Sequence, residues 1–339
     1  MTYLTRSIAA FALLFAADGG AAEPALSTRV AQQDGWVGYQ VPMTADAGKP
    51  CCFSWRGKNA TRIGCDLDGN NWGTNSDDRA QGQSATEMLS VYLHVAHGSI
   101  DKARAFAASC PVKDADRVRW LDAVDSVQSI KMLAAGAAAA GKENIFDSEL
   151  AAIAMHADDA ATPALAQLAD PARPQKLREQ AIFWLGQARG ADGAKIVERV
   201  ATTDADAEMR AHAVFALSEA HGVDGYSIIL RIAKTDKSDH VREQALFWMA
   251  QMHDPRARAD IVAAIGDDAS EKVREQGVFA LSQLEDGEAD AALIALVRGN
   301  YPRKVKEQAL FWLGQSGSTQ ALDFIDEVLT RTAQKATKS

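Results

Sequence analysis

Five segments of this chain repeat at a fixed spacing: Leu177-REQAIFWLGQ, Met209-RAHAVFALSE, Val241-REQALFWMAQ, Val273-REQGVFALSQ and Val305-KEQALFWLGQ. Each begins 32 residues after the one before, with no slip. Self-similarity at this period means stacked supersecondary units, each too small to bury its apolar face alone. Val241, Ala245 and Met249 fall four apart, which is one face of a helix. Three residues before each segment stand Pro174, Asp206, Ser238, Ser270 and Pro302. Asp and Ser suit an N-cap, and Pro suits the first turn. A second helix per unit is predicted from two apolar columns. One is Val197, Ile229, Ile261, Leu293 and Ile325; the other is Val200, Ile232, Ala264, Leu296 and Val328. Gly190-Ala191-Asp192-Gly193 and Val223-Asp224-Gly225 read as turns between helices. Residues 145–176 read as a degenerate first unit, with Leu150, Ile153, Leu165 and Leu168 in helical spacing, and Ala321–Leu329 supplies a closing helix.

The order Asp, then Val-Arg, then Ala and Leu-Gly four residues apart resembles the short, PBS-lyase-type HEAT repeat. The residues are Asp236, Val241-Arg242, Ala245 and Met249-Ala250, with Asp204, Asp268 and Arg274 in neighbouring copies. The likeness covers roughly residues 145–330. It implies a mainly α fold: a right-handed α-solenoid of about five to six HEAT-like helix pairs, preceded here by a small disulfide-linked β-rich domain. It also implies that the Val-Arg helix lines the concave side. An Asp–Arg ladder between repeats would be held by Arg178, Arg210, Arg242, Arg274 and Lys306, and should weaken where Asn300 replaces Asp.

On a wheel of about 100° per residue, Glu243, Gln244, Phe247 and Gln251 lie opposite the buried stripe. Phe at that outward position recurs in every copy: Phe183, Phe215, Phe247, Phe279 and Phe311. The next position alternates as Trp184, Ala216, Trp248, Ala280 and Trp312, so Trp returns every 64 residues. Amides bracket the ring in most copies, at Gln180, Gln244, Gln276 and Gln308 before it and Gln187, Gln251, Gln283 and Gln315 after it. One reading is an aromatic ladder on a groove, with rings as anchors and amides meeting a peptide backbone. The other is that the rings pack between repeats and the amides face water.

The first half differs in character. Trp36–Val41 and Met88–Val95 alternate as strands do, and residues 30–110 read as mainly β. A helix is predicted over Ser126–Ala135, capped by Asp125 or Ser126. All four cysteines, Cys51, Cys52, Cys65 and Cys110, lie here. Adjacent Cys51 and Cys52 cannot pair without strain, so each is expected to take one of Cys65 and Cys110, in either order. A four-Cys zinc site is the competing reading, but the spacing lacks paired CxxC. Gly35–Pro42 and Ser109-Cys110-Pro111 resemble N-terminal parts of exported bacterial HEAT-repeat proteins, a likeness that brings no activity with it. Asp66-Leu67-Asp68-Gly69-Asn70 lacks the Gly and Glu of a calcium loop, with Asp77 at the twelfth position, and reads as a turn. His94 and His97 fall on opposite faces of a strand, a poor pair for one metal.

Residues 1–22 have a secretory-signal layout, with one Arg, an apolar run over Ile8–Ala17 and small residues before an expected cleavage after Ala22. The organisation expected is therefore signal 1–22, β-rich domain 23–135, Ala/Gly linker 136–144, repeat array 145–330 and flexible tail 331–339. The mature protein should be periplasmic or secreted, where paired cysteines oxidise. No apolar run is long enough for a comfortable membrane span, so an integral membrane protein is not expected after signal removal.

The net charge of −9 disfavours a general nucleic-acid binder, which needs a basic surface. Most of the negative charge falls from Ile145 onward, which points to a basic or neutral partner. Some HEAT-like proteins are enzymes, either di-iron hydroxylases or bilin lyases. The first need His-Glu pairs inside the helices, and no His-Glu dipeptide occurs in this chain. The second act inside cells. Neither a nucleophile elbow nor a phosphate loop is present. The expectation is a non-enzymatic scaffold of the cell envelope with no catalytic residue, metal or cofactor, recruiting a protein or peptide. A structural component of an envelope assembly is the alternative.

Overall fold

A computed structural model describes residues 24–48, 50–56, 59–69, 73–74, 87–139, 143–285 and 287–336. The signal segment, together with Asn70 and Asp77 of the acidic turn, lies outside the described residues. From Gln175 onward each 32-residue copy is a helix pair. The motif helices are α5 (Gln175–Ala188), α7 (Ala207–Ser218), α9 (Asp239–Gln251), α11 (Glu271–Ser282) and α13 (Arg303–Ser316). Their N-caps are Pro174, Asp206, Ser238, Ser270 and Pro302. Asp206 caps by accepting from the Glu208 amide. The two serines do not cap with their side chains; their own amides donate to Asp236 and Asp268 (2.8 Å each). The partner helices are α6 (Gly190–Thr203), α8 (Gly225–Thr235), α10 (Ala257–Asp267), α12 (Glu288–Arg298) and α14 (Thr319–Ala336). Gly190–Gly193 is thus the first turn of α6 and not a separate loop. A Cβ on Gly193 would lie 2.1 Å from the Leu185 carbonyl, so this tight corner requires glycine.

Val241, Ala245 and Met249 are fully buried, as are Val197, Ile229 and Ile261 of the partner layer. Each such Val or Ile contributes roughly 1.5–3 kcal/mol through burial. Successive motif helices pack closely along the array, whereas successive partner helices touch sparsely. Unequal spacing of two layers makes the stack curve, with the motif helices inside.

The ladder between units is present. Arg210 donates from Nε and Nη2 to the Asp236 carboxylate (2.8 and 3.0 Å). Arg242 does the same to Asp268 (2.7 and 3.0 Å), and Arg178 pairs with Asp204. Arg210 and Arg242 also reach back to the carbonyl of the preceding Asp, as Arg242 does to Asp236 (2.8 Å), whereas Arg178 reaches the Ala169 carbonyl. The chain of bonds stops at Arg274. It keeps the backward bond to Asp268 (2.7 Å), but its buried Nε has no partner, in the copy where Asn300 stands for Asp.

Among the described residues, α1 (Leu26–Ala31), seven strands, α2 (Ser126–Ala139), α3 (Glu143–Met155) and α4 (Ala161–Leu168) come before the array. β1 (Gly35–Pro42), β5 (Met88–Ala96), β6 (Ser99–Ala107) and β7 (Arg119–Trp120) form one sheet in the order β6-β5-β1-β7, with only β7 parallel to its neighbour. β2 (Pro50–Arg56) is flanked by β3 (Asn59–Ile63) and β4 (Gly73–Thr74) in a second sheet. Adjacent residues of a strand face opposite ways, so Cys51 meets Cys110 and Cys52 meets Cys65, with Cα–Cα distances of 5.5 and 5.2 Å. Trp36 to Tyr39 are all buried where alternation predicted one wet face. Ser129 of α2 bonds Tyr39 from one side (2.7 Å), and Val118 and Trp120 lie against Gly38 from the other. His97 sits in the β5–β6 turn at φ 53°, off the strand on which sequence placed it. Asp66 accepts from the amides of Asp68 and Gly69 (3.0 and 3.1 Å), the turn expected there.

The sheets and the array meet directly. The Thr44 amide donates to Met155 and the Ala157 amide to Pro42 (2.9 Å each). Arg189 donates to the Ala154, His156 and Asp158 carbonyls at the end of α3. The Ala/Gly stretch expected as a linker is helical wherever it is described, since α2 runs through Ala139 and α3 opens at Glu143. Likewise α14 continues to Ala336, past the expected start of the tail. Among the described residues no helix is long and apolar enough to cross a membrane.

Candidate functional site

The outward face of the motif helices carries the Phe and Trp columns, and the rings meet in an unbroken series. Trp184 touches Phe183 edge-on, with centroids 5.2 Å apart, and Phe183 stacks on Phe215 at 5.7 Å. Phe215 meets Trp248 at 4.6 Å, and Trp248 meets Phe247 at 5.0 Å. Phe247 stacks on Phe279 at 6.1 Å, Phe279 meets Trp312 at 5.1 Å, and Trp312 meets Phe311 at 5.1 Å. Eight rings from five repeats thus form one spine, each pair contributing about 0.5–1.5 kcal/mol beyond its area.

The alternation of Trp and Ala follows from this geometry. Where an Ala copy follows a Trp copy, the two Phe rings stack almost parallel, at 16° and 5°. At Ala216 the helices come so close that a Cβ on Gly186 would lie 2.3 Å from the Ala216 carbonyl. Where a Trp copy follows, its indole lies against the preceding Phe, 4.6 Å from Phe215 and 5.1 Å from Phe279.

Both sequence readings therefore describe part of the arrangement. Trp184 is 4% exposed, while Trp248, Trp312, Phe183, Phe215, Phe247 and Phe279 are half-buried. Phe311 ends the spine at 53% exposed. Phe183, Trp248 and Trp312 also lean on the apolar core; the ring contacts of Phe247 and Phe279 are with their neighbours in the spine. Gln180, Gln244, Gln276 and Gln308 are half-buried beside it. Among the described residues no side chain or carbonyl engages their amides.

A groove of 360 Å³ opens at the centre, where Phe215, Trp248 and Gln244 meet Glu179, Glu208, His212 and His240. The two histidines and two glutamates are not among the residues that sequence reasoning singled out for this face. His212 stands in the Gln180/Gln244 column and His240 in the column of Glu208 and Lys272. The histidines do not recur in phase, so only their columns mark them as members of this face. His212 Nε2–H donates to the Glu179 carbonyl (2.8 Å), which leaves Nδ1 as an acceptor. Burial holds its pKa below the usual imidazole value, so the ring is neutral at pH 7. His240 Nε2 lies 3.3 Å from the Glu208 carboxylate. The arrangement offers aromatic faces, free amides and carboxylates in one line, the chemistry of peptide capture. Among the described residues no three His, Cys, Asp or Glu stand where they could share a metal ion.

The sequence of residues 226–310 matches the family model of HEAT repeats. The helix pairs of residues 226–310 are HEAT repeats, and the neighbouring pairs keep their 32-residue register. No curated protein matches the chain. Among solved structures, the HEAT-repeat chain is similar to YibA of Escherichia coli at 23% identity and TM-score 0.35, over 51% of this chain and 64% of that one. It thus spans less than two thirds of the YibA chain. It is also similar to human deoxyhypusine hydroxylase in complex with glycerol at 16% identity and TM-score 0.30, over 60% of this chain and 76% of that one.

Proposed function

We propose that this HEAT-repeat protein is a non-enzymatic scaffold of the cell envelope that recruits a polypeptide along the inner face of its array. The observation that carries the reading is the aromatic spine. Of its eight rings Trp184 is buried, six are half-buried and Phe311 is exposed, in a row bordered by unengaged amides. A core would bury such rings, and a solvated face would not carry them. The two disulfides fit an oxidising compartment, and the signal-like leader supports export. The absence of His-Glu dipeptides argues against the iron chemistry of HEAT-like hydroxylases. A structural role in an assembly draws on a different observation: Leu322 and Leu329 of α14 are 56% and 63% exposed, an apolar flank that a neighbouring subunit would cover.

Affinity capture from the native envelope fraction separates the two. A single partner lost on Phe247→Ala/Phe279→Ala, with cooperative unfolding retained, supports recruitment. Because those rings also brace adjacent repeats, Gln244→Ala/Gln276→Ala is the companion variant, which should weaken capture without lowering stability. Several co-purifying subunits that survive both double variants but are lost on Leu322→Ser/Leu329→Ser would favour the assembly role. Stoichiometric iron in the purified protein would overturn the non-enzymatic reading.

A further inference from the structure

A second site lies away from the array, in a cleft between α1, the β5–β6 hairpin, α2 and α3. Val30, Val95, Ile100 and Met132 line a mostly apolar cavity of 540 Å³, within the range of about 300–1,000 Å³ common for small-molecule sites. Glu149 of α3 also lines it. This side chain is 1% exposed, and its Oε2 has no hydrogen-bond partner. Opposite stands Gly136 in the interior of α2; a Cβ there would lie 2.4 Å from Oε1 and 3.2 Å from Oε2.

Two local costs meet at this point. A glycine inside a helix is less stable than alanine by roughly 0.5–1 kcal/mol, and a buried carboxyl without a partner costs several times more. Any larger residue at 136 would displace the carboxyl. Local rules broken together, around a cavity of ligand size, mark a place kept for binding. Glu149 is the only titratable residue among the described residues that line the cavity. The other ionisable groups described in this buried region are Tyr39 and His156, joined through the Ser129 hydroxyl (2.7 and 2.9 Å). Burial raises the Tyr39 pKa and lowers that of His156 to about 4, so both are neutral at pH 7 and neither is a countercharge. An anionic ligand would be desolvated with no described cation to pair with. A neutral polar ligand would gain one hydrogen bond, whereas a cation would gain a desolvated ion pair.

We propose that this cavity binds a small organic cation, its ammonium group paired with the Glu149 carboxylate and its apolar body filling the space between the hairpin and α2. Burial pushes Glu149 up to about 8, so the free site holds a proton at pH 7. Arrival of the ammonium would release that proton to solvent. The site is separate from the inner face of the array, and its test does not depend on any partner of that face.

Calorimetric titration of the full chain with n-hexylammonium, 1-hexanol and hexanoate at pH 7 tests the proposal. Hexylammonium should bind one to one, about tenfold or more tighter than hexanol, and hexanoate should not bind. Buffers of different ionisation heat should show close to one proton released per hexylammonium. Glu149→Gln, which preserves shape, should erase the advantage over hexanol while keeping the melting transition. Met132→Trp should fill the cavity and abolish binding of both. No heat with any of the three probes would overturn the proposal. So would equal binding of amine and alcohol, or unchanged amine binding by Glu149→Gln.

Discussion

Asn300→Asp should repair the one broken rung of the Asp–Arg ladder and stabilise the C-terminal repeats. In the two rungs before it an Arg sends two charge-assisted bonds into the next unit, as Arg242 does to Asp268, with both side chains little exposed (13% and 11%). Arg274 lacks both, and its Nε is buried without a partner, a deficit of roughly 1–3 kcal/mol. A carboxylate at 300 would restore those bonds, for an expected gain of about 2 kcal/mol once its own partial desolvation is subtracted. Because repeat stability is a sum of unit and neighbour terms, the gain belongs to α11 and α13 and not to the whole chain. Native-state hydrogen exchange, resolved by segment, is therefore the assay, with amides of α11 and α13 slowing about thirtyfold and those of α5 unchanged. The same substitution in an Arg274→Gln background should give no gain. Equal slowing in both backgrounds would refute the pairing argument. No slowing in either would place the fault in the backbone, since α12 ends at Arg298 with Gly299 as its C-cap, whereas α8 and α10 end one position later in the register, with Asp236 and Asp268 as C-caps.

Other outcomes follow from the same geometry. Gly186→Ala should destabilise by about 2 kcal/mol, because its methyl meets the Ala216 main chain. The in-phase Gly314→Ala, with nothing within 4 Å, should be neutral or stabilising by about 0.5–1 kcal/mol in urea unfolding. Glu149 and His156 give opposite pH trends. The raised Glu149 pKa means stability is full below pH 4.5 and is lost as pH climbs to about 8. The lowered His156 pKa means stability is full above pH 6.5 and is lost as pH falls toward about 4. Glu149→Gln should therefore gain on the wild type by about 3–4 kcal/mol between pH 5 and pH 8 in denaturant melts; a flat difference would contradict the burial of that carboxyl. Removing the Cys51–Cys110 bridge, which spans 59 residues, should cost about 1 kcal/mol more than removing Cys52–Cys65, which spans 13, by the loop-entropy model.

What the sequence disclosed was whatever recurs. Helix pairs, their starts at Pro174 or Asp206, the Asp–Arg ladder and its gap at Asn300 are all written five times or conspicuously missed once. The spine was half visible: the columns showed that Phe and Trp share a face, but ring contact between repeats depends on how closely the helices approach. That approach is set by small residues such as Gly186 against Ala216. Features present once were hidden. Nothing in the pattern around Glu149 or Gly136 signals that they face each other, since they come from two helices. The order of the disulfides and the double burial of Trp36–Tyr39 likewise depend on contacts distant in sequence.

The alternation of Trp and Ala copies has a consequence for how such an array can change length. Deleting one internal 32-residue unit would bring two Trp copies or two Ala copies side by side. Two Trp copies would then meet where an Ala copy now intervenes, or two Ala copies would meet with no indole against the preceding Phe. Removing two consecutive units leaves every junction of a kind already present. The module for internal change in this array is therefore the 64-residue pair, and internal losses or gains should come as whole pairs.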